Sequence, residues 1–164
     1  MNPAADPPVV YVVDDDDAMR DSLLFLLEPL GHAVEVFASA DAFLAGYDPR
    51  RVACLVADVR MPGMSGLALH EELVRRGSVM PVIIITGHGD VPMAVRAMRT
   101  GSIDFIEKPL NNQVLIERID EALRLATARH AAAQEIGAIR ARLDSLTARE
   151  REVADLVAAG KQNK

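Results

Sequence analysis

Short runs of consecutive β-branched and other apolar residues alternate along this chain with longer stretches in which apolar positions recur every three to four residues. Turn residues separate the two kinds of segment. The pattern predicts strands at Val9–Val13, Ala33–Phe37, Ala53–Ala57, Val82–Thr86 and Ile103–Ile106. It predicts helices at roughly Ala18–Leu30, Ala40–Tyr47, Gly66–Arg76 and Val91–Thr100, and a long final one from about Asn112. Strands that read as unbroken apolar runs are buried on both faces, which is the signature of a parallel sheet covered by helices. Strict alternation of strand and helix then requires right-handed crossovers. The predicted fold is α/β: a doubly wound sheet of five parallel strands, (βα)5, with an extended C-terminal helix. Such sheets carry their functional groups at the carboxyl ends of the strands, near the switch in strand order.

From Asn112 to about Asp144 no proline interrupts a stretch rich in Ala, Arg, Glu and Leu, so one helix of roughly 30 residues is expected, with Gly137 a place where it could kink. A heptad reading places Leu115, Ala122, Leu125, Ala132, Ile136, Ile139, Leu143 and Leu146 on one seam, with Arg118 and Arg129 intruding. That seam suits either a two-stranded coiled coil or a packed or solvated linker helix. Beyond it, Thr147 and Glu150 have the spacing of a reciprocal capping box, which marks a new helix start, and Gly160 is a candidate stop. The expected organisation is a tail at 1–8, a globular domain at 9–127, a linker helix at 128–145 and the start of a further unit at 146–164.

Composition adds an ordinary soluble character: half of the 164 residues are apolar and 26% are charged. Apolar runs such as Leu23–Leu27 are far shorter than the ~20 residues of a membrane span. Residues 1–8 lack the basic patch and apolar run of an export signal, so no membrane association and a cytoplasmic location are expected. Cys54, the single cysteine, lies within an apolar run and is expected to be a buried, inert thiol. Residues 1–127 carry 11 Lys/Arg against 19 Asp/Glu, whereas residues 128–164 carry 7 against 5. The acidic part is a poor match to nucleic acid; the basic tail is compatible with it.

The candidate chemistry sits at the predicted strand ends. Asp14-Asp15-Asp16-Asp17 follows the first strand, Asp58 ends the third, Thr86 ends the fourth and Glu107-Lys108-Pro109 ends the fifth. Carboxylates gathered in one crevice repel one another unless a hard, oxygen-seeking cation neutralises them, and Mg²⁺ is the natural candidate. Asp17 is expected to cap the first helix, leaving Asp14 and Asp15 for the site. A nucleophile, metal ligands, an ammonium and a hydroxyl donor at one edge are the parts needed to hold a phosphoryl group. His32, His70 and His130 are isolated and show no zinc-ligand spacing.

With these residues in view, 9–127 resembles the response-regulator receiver family, with its flavodoxin-like, CheY-like fold, and Thr86-Gly-His-Gly-Asp-Val-Pro-Met-Ala-Val95 looks like the FixJ-type branch. The resemblance implies that Asp58 accepts a phosphoryl group from the phosphohistidine of a sensor histidine kinase. It implies Mg²⁺ as the cofactor, held by Asp15, Asp58 and the backbone carbonyl of Arg60, with Asp14 acting through water. Thr86 and Lys108 would bind the phosphoryl oxygens, and the Lys108–Pro109 bond would be cis. Phe105 matches the aromatic switch that follows Thr86, and Arg60 and His88 match positions that tune the lifetime of the phosphorylated form. Val91, Val95 and Arg99 would form a face for homodimerisation on phosphorylation.

Residues 146–164 similarly resemble the first helix and turn of a LuxR-type helix-turn-helix. The second helix of that motif reads DNA, so promoter DNA is an expected partner of a complete domain only, and these 164 residues are expected to lack sequence-specific DNA affinity. The protein is expected to be a phospho-acceptor that assists its own phosphorylation and dephosphorylation rather than an enzyme. Two alternatives differ in class. One is a receiver acting through protein contacts without DNA output. The other is a Mg²⁺-dependent phosphatase of the haloacid-dehalogenase type, whose Asp-x-Asp-x-Thr/Val motif Asp14-x-Asp16-x-Ala18 fits only in part.

Overall fold

The computed structural model describes residues 6–87, 92, 95, 103–145 and 148–162. The strands are β1 (Val9–Val13), β2 (Ala33–Phe37), β3 (Ala53–Asp58), β4 (Val82–Thr86) and β5 (Ile103–Glu107). The helices are α1 (Asp17–Leu27), α2 (Ala40–Gly46), α3 (Gly66–Arg75), α4 (Asn112–Asp144) and α5 (Ala148–Gln162). The predicted helix at Val91–Thr100 lies outside the described residues, apart from isolated positions in it.

All five strands pair in parallel in the order β2-β1-β3-β4-β5. This is the doubly wound arrangement the alternation predicts, with the switch in strand order beside β1 and β3. Every residue of β1, β3 and β4 is buried, and the strands divide their side chains between two cores. Val9, Tyr11, Leu55 and Ile84 meet Phe43 of α2 and Leu69 and Leu73 of α3 on one face. Val10, Val12, Val56 and Ile85 meet Leu23 and Leu27 of α1 and Leu115 and Ile119 of α4 on the other. The period of two along each strand is what delivers apolar residues to both faces.

Local chemistry sets the helix ends. Ser39 and Ser65 cap α2 and α3 by accepting the amides of Ala42 and Ala68. The first helix departs from expectation at both ends. Asp16, not Asp17, is its cap, accepting the Ala18 amide at 2.9 Å, while Asp17 is the first helical residue and pairs with Arg20. The chain turns inward at Asp14, whose carboxylate takes the Asp16 amide, so the helix starts one residue sooner. At its other end α1 stops at Leu27 and Glu28–Leu30 continue as a 3-10 turn. Pro29 has no N–H to bond back to the previous turn, and Gly31 then closes the segment at φ 90°.

Packing divides the chain into Met1–Arg129 and His130–Lys164. In the first unit α4 buries Leu115, Ile119, Ala122, Leu123 and Ala126, the spacing of one helical stripe. In the second unit every described side chain of residues 131–145 and 150–158 is exposed. α4 continues through Gly137, and α5 runs two residues past Gly160, so Gly160 is not the stop expected of it. Glycine ends a helix where a left-handed turn follows, not by its presence. The Thr147 of the expected capping box lies outside the described residues. No helix among the described residues is long and apolar enough to cross a membrane.

Candidate functional site

Four polar or charged side chains are buried among the described residues: Asp14, Asp58, His70 and Thr86. Three of them stand at the carboxyl ends of adjacent strands, Asp14 just after β1, Asp58 closing β3 and Thr86 closing β4. Buried charges are kept only where partners hold them, and those partners define the site. Asp58 accepts the Lys108 ammonium on Oδ2 at 3.1 Å and the Arg60 amide on Oδ1 at 3.0 Å. Lys108 is placed by β5, which is bonded to β4, and its own amide donates to the Thr86 carbonyl at 2.7 Å. The Lys108–Pro109 peptide bond is cis. Thr86 donates its hydroxyl to the Gly87 carbonyl at a long 3.4 Å.

The carboxylate oxygens of Asp14, Asp15 and Asp58 come within 4.8 Å of one another, with Asp15 exposed and the other two buried. Burial pushes the Asp14 carboxyl above its ordinary value; the Asp16 amide opposes this, and the neighbouring Asp58 charge adds to it. An all-oxygen set of three carboxylates that repel one another fits a small hard cation such as Mg²⁺. Asp14, Asp15 and Asp58 are therefore the residues able to hold one.

Two contributors escape inspection of the sequence. Arg20, one turn into α1, donates to the Asp14 carbonyl at 2.6 Å and so fixes the turn that aims Asp14 inward. Gly66 opens α3 directly against the end of β3, where a Cβ would lie 2.4 Å from the Asp58 carbonyl oxygen. Only the missing side chain allows that approach. A glycine immediately after the capping Ser65 was the available signal for it. Asp16 and Asp17, by contrast, belong to the helix start and its surface.

Of the other predicted residues, Phe105 is partly buried and packs against the core that contains Ile84, its register partner on β4. Arg60 is exposed beside Asp58. Val95 is exposed, whereas His88, Val91 and Arg99 lie outside the described residues. Cys54 is fully buried, and burial pushes its thiol up to about 12, which makes it inert.

A doubly wound sheet that gathers an acidic triad, a hydroxyl and a paired ammonium at one edge has the form of a receiver. The family described as Response regulator receiver domain matches residues 10–120, and the chain belongs to that family. Within it the likeness is to FixJ-type regulators. The transcriptional regulatory protein FixJ of Bradyrhizobium diazoefficiens is 46% identical over 158 residues, spanning 94% of this chain and 76% of that protein. FixJ of Rhizobium meliloti is 48% identical over 155 residues, with the same 94% and 76% spans. Among solved structures, the response regulator StyR superposes with a TM-score of 0.83 at 42% identity, covering 94% of this chain and 78% of that one.

Proposed function

We propose that this chain is the phosphoryl-accepting switch of a two-component system, with Asp58 as the acceptor of a phosphoryl group from the phosphohistidine of a sensor histidine kinase. The observation that carries the reading is the buried Asp58 carboxylate, held by Lys108 at 3.1 Å beside Asp14 and Asp15. A carboxylate oxygen of Asp58 attacks phosphorus as the bond to the histidine nitrogen breaks, and the bonding electron pair leaves with the imidazole. Little covalent chemistry falls to the protein, so its contribution is positioning and charge neutralisation. Asp15, Asp58 and the Arg60 carbonyl would hold Mg²⁺, with Asp14 acting through water. Bound there, Mg²⁺ would supply charge neutralisation at the phosphoryl oxygens. Lys108, now 3.1 Å from Asp58, would hold those oxygens as well, and the Thr86 hydroxyl, now on a 3.4 Å bond, is available to them.

Phosphorylation adds about -1.5 to -2 charges and strong acceptor oxygens. Thr86 turns toward them, and Phe105 follows into the space released. The change reaches a dimer face containing Val91, Val95 and Arg99, and so controls transcription through a C-terminal DNA-binding domain. Arg60 and His88 tune how long the acyl phosphate lasts. The protein is thus an acceptor that assists its own chemistry and not a turnover enzyme.

Mass spectrometry after treatment with a small phosphodonor tests this directly. Label on Asp58, absent from Asp58→Asn, is the expected result; label on Asp14 would overturn it. Thr86→Ala is expected to accept the phosphoryl group and to activate poorly.

A further inference from the structure

The second half of α4 carries apolar side chains that its own unit leaves in solvent. Ile136, Ile139 and Leu143 are 54%, 52% and 59% exposed. With Ala132 they recur at intervals of four, three and four residues, the a/d repeat of a two-stranded coiled coil. A helix whose described side chains are all exposed draws no stability from tertiary burial, and isolated helices of this length are marginal in water. Most of the earlier seam residues serve another purpose, Leu125 at 41% exposure being the exception. Leu115 and Ala122 are buried in the receiver core, and Arg129, also on the seam, donates to the Val79 carbonyl at 3.0 Å. The free seam therefore opens at Ala132.

We propose that residues 132–143 of α4 pair in parallel with the same segment of a second copy of this chain. In-register parallel pairing places Ile136 on Ile136, Ile139 on Ile139 and Leu143 on Leu143, a two-fold symmetric contact. The flanking charges agree with that partner: Glu135 falls at a g position and Arg140 at the following e position, so each Glu135 faces the other copy's Arg140. Gly137 falls at b, off the seam, and a Cβ added there would meet nothing within 4 Å.

The segment holds under two heptads, fewer than the about three to four that mark a self-sufficient coiled coil. Pairing is correspondingly weak alone. It closes when another contact holds two copies together and raises the local concentration of the helices to about the millimolar range. That dependence on a second contact rests on the phosphorylation reading above; the pairing itself does not.

The test uses the full chain carrying Ile139→Cys or, as the off-seam control, Ala138→Cys. Cys54 is buried and leaves the introduced thiol as the reactive one. Under mild oxidation, Ile139→Cys should form a symmetric disulfide at least roughly tenfold faster than Ala138→Cys, and faster still with a small phosphodonor present. Equal rates at the two positions would overturn the proposal. In sedimentation, Ile139→Lys should weaken self-association by roughly a hundredfold while phosphoryl uptake at Asp58 stays intact; unchanged association would also overturn it. Loss of uptake in the unsubstituted protein would instead strike the phosphorylation reading and leave the crosslinking comparison standing.

Discussion

The two halves of α4 read alike in sequence and behave differently. From Asn112 to Arg129 the helix buries a stripe of Leu115, Ile119, Ala122, Leu123 and Ala126 against the receiver sheet. From His130 onward it carries Ile136, Ile139 and Leu143 at similar spacing and buries none of them. Period alone therefore identifies a helix with an apolar face, while the presence of a partner surface decides whether that face stabilises the fold. The first half is held by the core of its own chain; the second offers the same kind of stripe to another molecule.

The sharpest way to break this contrast is to delete the same side chain from each half. Ile119→Ala should cost the receiver about 2 to 5 kcal/mol, as a large-to-small change in a closed core. Ile139→Ala should leave the receiver within about 0.5 kcal/mol of the parent. Urea denaturation of the two variants, followed by a signal from the receiver, checks both values. Comparable losses would show that the second half also supports the receiver fold.

Glycine substitution makes the next contrast. Gly66→Ala drives a Cβ into the Asp58 carbonyl oxygen and should destabilise by about 1 to 3 kcal/mol, with slower phosphoryl uptake from a small phosphodonor. A neutral Gly66→Ala would mean that α3 can retreat without disturbing Asp58.

Acid should act on the receiver through His70. Both ring nitrogens of His70 are buried without a hydrogen-bond partner, and burial holds the imidazole below its ordinary value, with Glu71 opposing weakly. The folded state thus favours the neutral ring. Its contribution is intact above the ordinary histidine value near pH ~6.5. It is lost as pH falls from there through the depressed folded value, by at most about 1.4 kcal/mol per pH unit. His70→Leu should flatten that slope in denaturation midpoints between mildly alkaline and mildly acidic buffers; an unchanged slope would assign it to other groups.

The smallest expected effect has the opposite sign. Gly137 sits in open surroundings inside a helix, so Gly137→Ala should stabilise α4 by up to about 1 kcal/mol, read as a gain in helical circular dichroism and in resistance of the tail to proteolysis. A loss of helix there would reveal a contact that the open surroundings do not suggest.

Much of the site was legible because strand ends are local features. Apolar runs stop where Asp14, Asp58, Thr86 and Lys108 begin, and a parallel sheet brings such ends to one edge. The helix cap at Asp16 was less legible, since four consecutive aspartates offer several equivalent caps and only the inward turn of Asp14 selects among them. Arg20 and Gly66 were missed for a related reason: their roles lie in contacts with backbone oxygens, which residue type does not announce.

The sequence by itself determined the order of strands and helices, the two-faced burial of the sheet and the set of residues carried to its edge, because each follows from periodicity and chain punctuation over a few residues. Only the tertiary structure decided that Lys108 reaches Asp58 across 50 residues, that Asp14 is buried beside it and that Gly66 lies against the end of β3. It also decided where along α4 the receiver core stops using the helix. These outcomes depend on strand order and on which surfaces meet, and such non-local contacts leave no trace in the pattern of any one segment.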